Sequence, residues 1–241
     1  MTQTALKERP LSRPPAEFDS YVEAYPELLR DPVRERFAPG GRFFIERKRL
    51  LLKAFLQGAG VAMQRARWLD IGCGRGDLLA ASQSEFRYAA GCDLSAGMIA
   101  GAKGLDVRLQ NAPDQLPFDD GSFDLLTAVC VYHHVDVEVR ARLTTEAARV
   151  LRPGGIFCVM EHNPFNPVTR FIVRRSPVDA NAELLSAGEV RRLVRVAGMQ
   201  VLRTQYFLLF PEFVYQRLAW LEAGLSGLPL GGQYAVFGSR P

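Results

Sequence analysis

The stretch WLDIGCGRGD at residues 68–77 sets three glycines, Gly72, Gly74 and Gly76, at alternate positions behind an apolar run. Acids stand on both sides, Asp70 and Asp77. Glycine at a strand end lets the backbone turn tightly and approach a ligand with no side chain in between. The spacing is G-x-G-x-G, not the G-x-G-x-x-G of a dinucleotide site, and Asp70 would repel a pyrophosphate. An acid there suits a ligand with a positive end, such as an amino group. Asp93, in GCDLS, ends a second apolar run. A carboxylate at that point can accept hydrogen bonds from both hydroxyls of a ribose.

The chain has three histidines, and all follow expected strand ends. His133 and His134 come after the fourth strand and His162 after the fifth. Open α/β sheets bind ligands at that edge. A histidine there can act as a general base on an acceptor, or it can simply pack. The most individual stretch is EHNPFNPVTRFIVRRSPVDANAELLS at 161–186. Its two Asn-Pro steps force extended or turned backbone and would bring Glu161, His162, Asn163 and Asn166 to the rim. Arg170, Arg174 and Arg175 follow at helical spacing. They read either as a hold for an anionic acceptor or as a solvated basic face. A metal-dependent site would need clustered carboxylates at this rim, and Glu161 alone is not enough, so no metal is expected.

Elements must position these residues. Apolar, strand-like runs occur at 66–71, 88–94, 106–110, 123–131 and 155–161. Helical patterns fit between them at 76–84, 95–103 and 136–151, with a short turn at 113–115. Parallel neighbours need such crossovers, so the pattern predicts α/β architecture with a doubly wound, mostly parallel sheet. Two later strands are expected at 199–207 and 233–239. Before the sheet, residues 16–37 have helical spacing interrupted by Pro26 and Pro32. A stronger helix follows at 42–57, with Phe43, Phe44, Leu50, Leu51, Ala54 and Phe55 on one apolar face. The expected domains are a lead without fixed structure at 1–15, a helical cap at 16–60, and a core at 61–241 carrying insertions at 162–198 and 208–231. Tyr21, Tyr25, Phe43, Phe44, Phe213, Tyr215 and Trp220 are candidates to line a lid over the site, or to pack against the sheet.

At 241 residues and a net charge of +4, the chain is mildly basic and suits one α/β domain with an elaboration, or at most two small domains. Its densest basic run, ERKRLLLK at 46–53, reads as a solvated helix face, so no nucleic-acid partner is expected. The four cysteines form no CxxC pair and read as small buried residues in a reducing compartment. The polar, proline-rich start shows no signal peptide, and no run of 18 apolar residues suggests a membrane span. A cytoplasmic location is expected.

The ordered set LDIGCGRGD, GCDLS, NAPDQLPFDDGSFDLLTAV, YHHV and RVLRPGG resembles the class I S-adenosylmethionine-dependent methyltransferases over about residues 66–161. The resemblance implies a seven-stranded Rossmann-like sheet with an antiparallel last strand. It places Asp70, Gly72, Cys73 and Gly74 around the methionine moiety of S-adenosylmethionine, Asp93 on the ribose and Leu94 against the adenine. Asn111 stands where the family commonly has Asp, beside Ala112, and can still accept from the adenine amino group. Val129 and Cys130 would floor the site. The implied reaction is methyl transfer, which we expect to act on a small molecule in bacterial specialised metabolism, at oxygen, by a monomer or homodimer. Rival readings are a lipid-linked acceptor at a membrane surface, suggested by the apolar 206–230, and a module that binds the cofactor without transfer. VYHHV after the fourth strand is not the Asn/Asp-Pro-Pro-aromatic signal of base methylation.

Overall fold

A computed structural model describes residues 17–241; the expected lead at 1–15 and the first residue of the cap lie outside them. Seven strands form one sheet: β1 (Arg67–Ile71), β2 (Tyr88–Asp93), β3 (Asp106–Leu109), β4 (Phe123–Val129), β5 (Leu151–His162), β6 (Gln200–Phe207) and β7 (Gln233–Ser239). Their spatial order is β3-β2-β1-β4-β5-β7-β6. β1 runs parallel to both β2 and β4, while β7 is antiparallel to both β5 and β6. The chain winds outward from β1 to β3 and then crosses back to β4. The order therefore reverses between β1 and β4, and loops leaving their C-terminal ends part to either side. That parting sets the turn after Asp70 beside the segment holding His133 and His134.

The strands read as apolar runs because both faces are covered. Trp68 and Leu69 point to opposite faces and are both fully buried. Leu69, Ile71, Leu126, Phe157 and Val159 pack with α6 (Val137–Val150) and α8 (Ala187–Val196). Trp68, Leu125, Cys158, Met160 and Phe237 pack with α3 (Arg42–Gly58) and α4 (Asp77–Ser82). All four cysteines are free; Cys92 and Cys158 are buried as expected, while Cys73 and Cys130 are half-buried.

Several elements differ from what the sequence predicts. Pro26 and Pro32 do not interrupt one helix; each sits in the first turn of its own, α1 (Tyr25–Leu28) and α2 (Pro32–Phe37), where the missing N–H costs nothing. In α3, Leu50 and Ala54 are exposed, and Arg47 and Lys48 turn inward instead. The basic run is thus not wholly solvated. Arg47 pairs with the buried Glu222 and lies over the Tyr215 ring at 3.9 Å, which fastens α9 (Glu212–Leu225) onto α3. β5 begins four residues before the expected Gly155, at Leu151 opposite Phe123; the register then shifts so that Leu125 faces Ile156. α5 (Ala96–Ala100) is shorter than the expected 95–103, and Ser95 caps it by accepting from Met98 N at 3.1 Å.

The 162–198 insertion contains α7 (Pro167–Arg175), a 3-10 turn at Pro177–Asp179, and α8. Glu183 N donates to His133 O at 2.8 Å, which ties this insertion to the rim. Among the described residues no helix is long and apolar enough to cross a membrane.

Candidate active site

A cavity of about 1820 Å³ opens at the β1/β4 parting, and every predicted site residue lines it: Asp70, Gly72, Cys73, Gly74, Asp93, Leu94, Asn111, Ala112, Val129, His133, His134 and His162. The glycine turn and the histidine rim therefore share one space.

On the β1 side the glycines take left-handed backbone, with φ of 64° at Gly72 and 55° at Gly74. A Cβ on Gly72 would stand 2.5 Å from Val131 Cγ2, so that position admits glycine alone; one on Gly74 would meet nothing within 4 Å. Asp93 braces the turn. Its Oδ2 accepts from Gly74 N and its Oδ1 from Ser95 N, each at 2.8 Å. Each oxygen keeps a further lone pair for a ligand. Burial raises the Asp93 pKa, against the bonds from Ser95 and Gly74. Asp70 is almost fully buried and accepts from the Thr127 hydroxyl, which itself accepts from Trp68 Nε1 at 2.9 Å. Burial pushes its pKa up to about 7, opposed by the Thr127 bond and the Lys48 ammonium. Asn111 lies exposed at the mouth, while its neighbour Gln110 is buried and donates to Ala112 O at 2.8 Å.

On the β4 side, Cys130 adopts φ 56°, a left-handed conformation that a side chain makes costly. The reversal turns two successive amides, Val131 N and Tyr132 N, onto Glu161 Oε1 at 2.9 and 2.7 Å. Glu161 Oε2 meets His133 Nδ1 at 2.6 Å, and His133 Nε2 lies 3.3 Å from Asp179 Oδ1. His134 Nε2 lies 3.4 Å from the same oxygen. Burial opposes a charge on His133, yet Glu161 and Asp179 outweigh it and raise its pKa to about 10. Burial would likewise lift Glu161, but His133 holds it near about 2. Asp179 is held well below the ordinary carboxylate range by His133 and His134, against the burial that would raise it. His133 thus has a carboxylate at each ring nitrogen. His162 is half-buried, with its Nδ1 3.5 Å from Gln233 Nε2 and, among the described residues, no carboxylate at ion-pair distance.

Two residues, Lys48 and Asp179, were not expected at the site, and Cys130 does more there than expected. Lys48 is buried, 3.8 Å from Cys130 Sγ, and a signal existed: it is in helical phase with Phe44, Leu51, Leu52 and Phe55. Cys130, expected as floor, also has its thiol pKa lowered to about 7; burial opposes this, and Lys48 and His162 prevail. Asp179 carried no signal of its own. Of the other rim candidates, Asn163 is buried and structural, donating to Pro229 O and Gly231 O at 2.9 and 2.8 Å. Asn166 caps α7. Arg170, Arg174 and Arg175 are exposed, and Arg175 pairs with Asp31 at 3.3 Å. Of the lid candidates, Tyr25 and Phe44 line the cavity, Phe43 is core, and Phe213 and Trp220 face outward.

Residues 69–159 match the family model described as a methyltransferase domain. Over that stretch and its flanks the chain is similar to class I S-adenosylmethionine-dependent methyltransferases. The chain is 33% identical over 138 residues to a malonyl-[acyl-carrier protein] O-methyltransferase of Dechloromonas aromatica, covering 54% of this chain and 50% of that protein. It is 34% identical over 117 residues to a demethylmenaquinone methyltransferase of Symbiobacterium thermophilum, covering 43% of this chain and 45% of the other. The chain thus spans half or less of the length of these relatives. A solved S-adenosylmethionine-dependent methyltransferase from Thermotoga maritima superposes with a TM-score of 0.69 at 22% identity, covering 93% of this chain and 98% of that one, and so shares the fold. S-adenosylmethionine is the cofactor that this similarity implies, and the bare Gly72–Gly74 backbone and the spare lone pairs of Asp93 fit such a ligand.

Proposed function

We propose that this chain transfers the methyl group of S-adenosylmethionine to a small-molecule acceptor, at a hydroxyl oxygen. The observation that carries the reading is the single cavity in which the Asp70–Asp93 half and the histidine rim face each other. Asp93 takes the ribose hydroxyls, Leu94 packs on the adenine, and Asn111 and Ala112 meet its polar edge. Asp70, Gly72, Cys73 and Gly74 hold the methionine end, and Val129 and Cys130 form the floor. When bound, the cofactor supplies a methyl on a sulfonium, already an excellent leaving group. The chain's part is then alignment, which can remove roughly 7–11 kcal/mol of barrier in favourable cases. The segments 16–60, 162–198 and 208–231 form the acceptor side. Phe18, Tyr25, Phe44 and Ile172 line the cavity and exclude water from it.

An acceptor hydroxyl must lose its proton. Of the three expected bases, His133 has both ring nitrogens engaged by carboxylates and His134 has one. His162 is the base in this reading, and His133 and His134 position the rim. Accordingly, His162→Ala lowers kcat by about 10²–10⁴-fold while cofactor affinity holds. Full turnover in that variant would remove His162 from the chemistry.

Asp70 gives a pH signature. Its pKa near about 7 is that of the ligand-free site. An ammonium placed against it favours the carboxylate and lowers that pKa, so binding releases a proton below pH 7. Affinity for S-adenosylmethionine therefore climbs by up to about tenfold per unit as pH rises from about 5 to 7, then levels. Asp70→Asn flattens the slope. A wild-type affinity that stays flat across this range would contradict the assignment.

A second reading has its own observation. Phe165, Phe171, Phe213, Trp220, Leu228 and Leu230 are all well exposed. Asn166 Nδ2 donates to Leu230 O at 2.8 Å, so the start of α7 and the turn after α9 adjoin. Such a surface suits an acceptor with an apolar tail, taken from a membrane face. Co-sedimentation with liposomes, lost in Phe213→Ser/Trp220→Ser, would favour it over a freely diffusing acceptor.

A further inference from the structure

The side chains around Asp179 converge on one point, and methyl transfer alone does not require them to. We propose that His133, His134 and Asp179 form a binding site for one divalent transition-metal ion, with two imidazole nitrogens and one carboxylate as ligands.

Three observations carry this. First, the donor atoms cluster about one point, and the carboxylate oxygen stands at neighbour spacing from each imidazole. Nε2 of His133 and Nε2 of His134 lie 3.3 and 3.4 Å from the same Asp179 oxygen, and the three potential ligand atoms fall within 4.8 Å of one another. Ligands about 2.0–2.2 Å from a metal stand roughly 3.0–3.5 Å apart along the edges of an octahedron or tetrahedron. Second, the buried histidine is oriented from behind. Glu161 is fully buried and fixed by the amides of Val131 and Tyr132, and it holds His133 Nδ1 at 2.6 Å. That bond keeps a proton on Nδ1 and aims Nε2 at the convergence point, where an ion would take the place of the second ring proton. A carboxylate behind a histidine is the usual support for a metal ligand. Third, His133, His134 and Asp179 all line the cavity. Coordination positions thus remain open on that side for water or for an oxygen of the acceptor.

The donor set narrows the ion. Calcium and magnesium take oxygen ligands. Two imidazoles with one carboxylate suit Zn²⁺, Fe²⁺, Co²⁺ or Ni²⁺. Glu161 alone could not make such a site, and the missing carboxylate comes from Asp179, in the 3-10 turn that the bond from Glu183 N to His133 O draws against the rim.

The test uses the full chain, free of any affinity tag and stripped with a chelator. Zn²⁺ is titrated calorimetrically, and Co²⁺ is titrated with its visible absorption followed. The wild type binds one equivalent of Zn²⁺ with Kd below about 10 µM. Co²⁺ gives visible bands without thiolate charge transfer. His134→Ala and Asp179→Asn each weaken Zn²⁺ by about 100-fold or more, and Glu161→Gln, acting from behind, by about 10–100-fold. Cys130→Ser changes affinity by less than about threefold. Circular dichroism establishes that each variant is folded. His134→Ala, which removes a partly exposed side chain, decides the matter should Asp179→Asn fail to fold. Absence of a one-to-one site in the wild type, or binding that survives His134→Ala unchanged, overturns the proposal. Either result would leave the methyl-transfer reading intact, because that reading is tested by release of S-adenosylhomocysteine and not by metal binding.

Discussion

Replacing Asp93 with alanine lowers the affinity for S-adenosylmethionine by about 100-fold or more. Two hydrogen bonds from ribose hydroxyls to a charged acceptor contribute about 1.5–3 kcal/mol each, and 1.4 kcal/mol is a factor of ten. The variant also loses the brace that Asp93 supplies to Gly74 N and Ser95 N, so the glycine turn is no longer held for the ligand. Asp93→Asn separates the two effects. Its amide has one oxygen where the carboxylate has two, so it can brace one amide but not both and accept fewer ribose bonds. Its loss is intermediate. Calorimetry reads both variants, and an unchanged affinity in Asp93→Ala would remove the ribose assignment.

Replacing Glu161 with alanine destabilises the fold by about 3–5 kcal/mol, the range for breaking a buried pair from one side. The side chain is fully buried and is the named acceptor for Val131 N, Tyr132 N and His133 Nδ1. Truncation leaves two amides and an imidazole without it, in a place water does not readily reach. The loss falls on the segment that leaves β4 through the strained Cys130, so the rim loosens before the sheet does. Glu161→Gln keeps one oxygen for the amides and is milder. Urea unfolding measures both, and a change below about 1 kcal/mol in Glu161→Ala would show that the rim does not depend on this carboxylate.

Much of this site is legible before the fold is known. Gly72 and Gly74 must be glycine because one has no room for a Cβ and both need left-handed backbone, and Asp93 must be acidic because two amides point at it. These are short-range demands, written within a few residues of one strand end. The strands themselves announce their burial through continuous apolar runs. The start of β5 does not, since Arg152, Pro153 and Gly154 read as a turn and become strand only through the pairing of Leu151 with Phe123.

Long-range partnerships are where the sequence is silent. Lys48 sits in a run of charges, and only the phase of α3 says that it turns inward while Leu50 turns out. Asp179 looks like any loop acid, and its meaning depends on a 3-10 turn that an insertion carries across the rim, about 45 residues downstream of the histidines. The same contact changes the reading of His133, which two carboxylates engage, and is why the proposed base is His162.

The central claim is tested most directly by following the methyl group itself. Purified protein is incubated with methyl-labelled S-adenosylmethionine and fractionated host extract, and label is traced into small-molecule, lipid, RNA and protein pools. The account predicts label in the small-molecule pool, in step with release of S-adenosylhomocysteine and lost in Asp93→Ala. Label confined to RNA or protein, or no transfer into any pool by protein that demonstrably binds the cofactor, would contradict it.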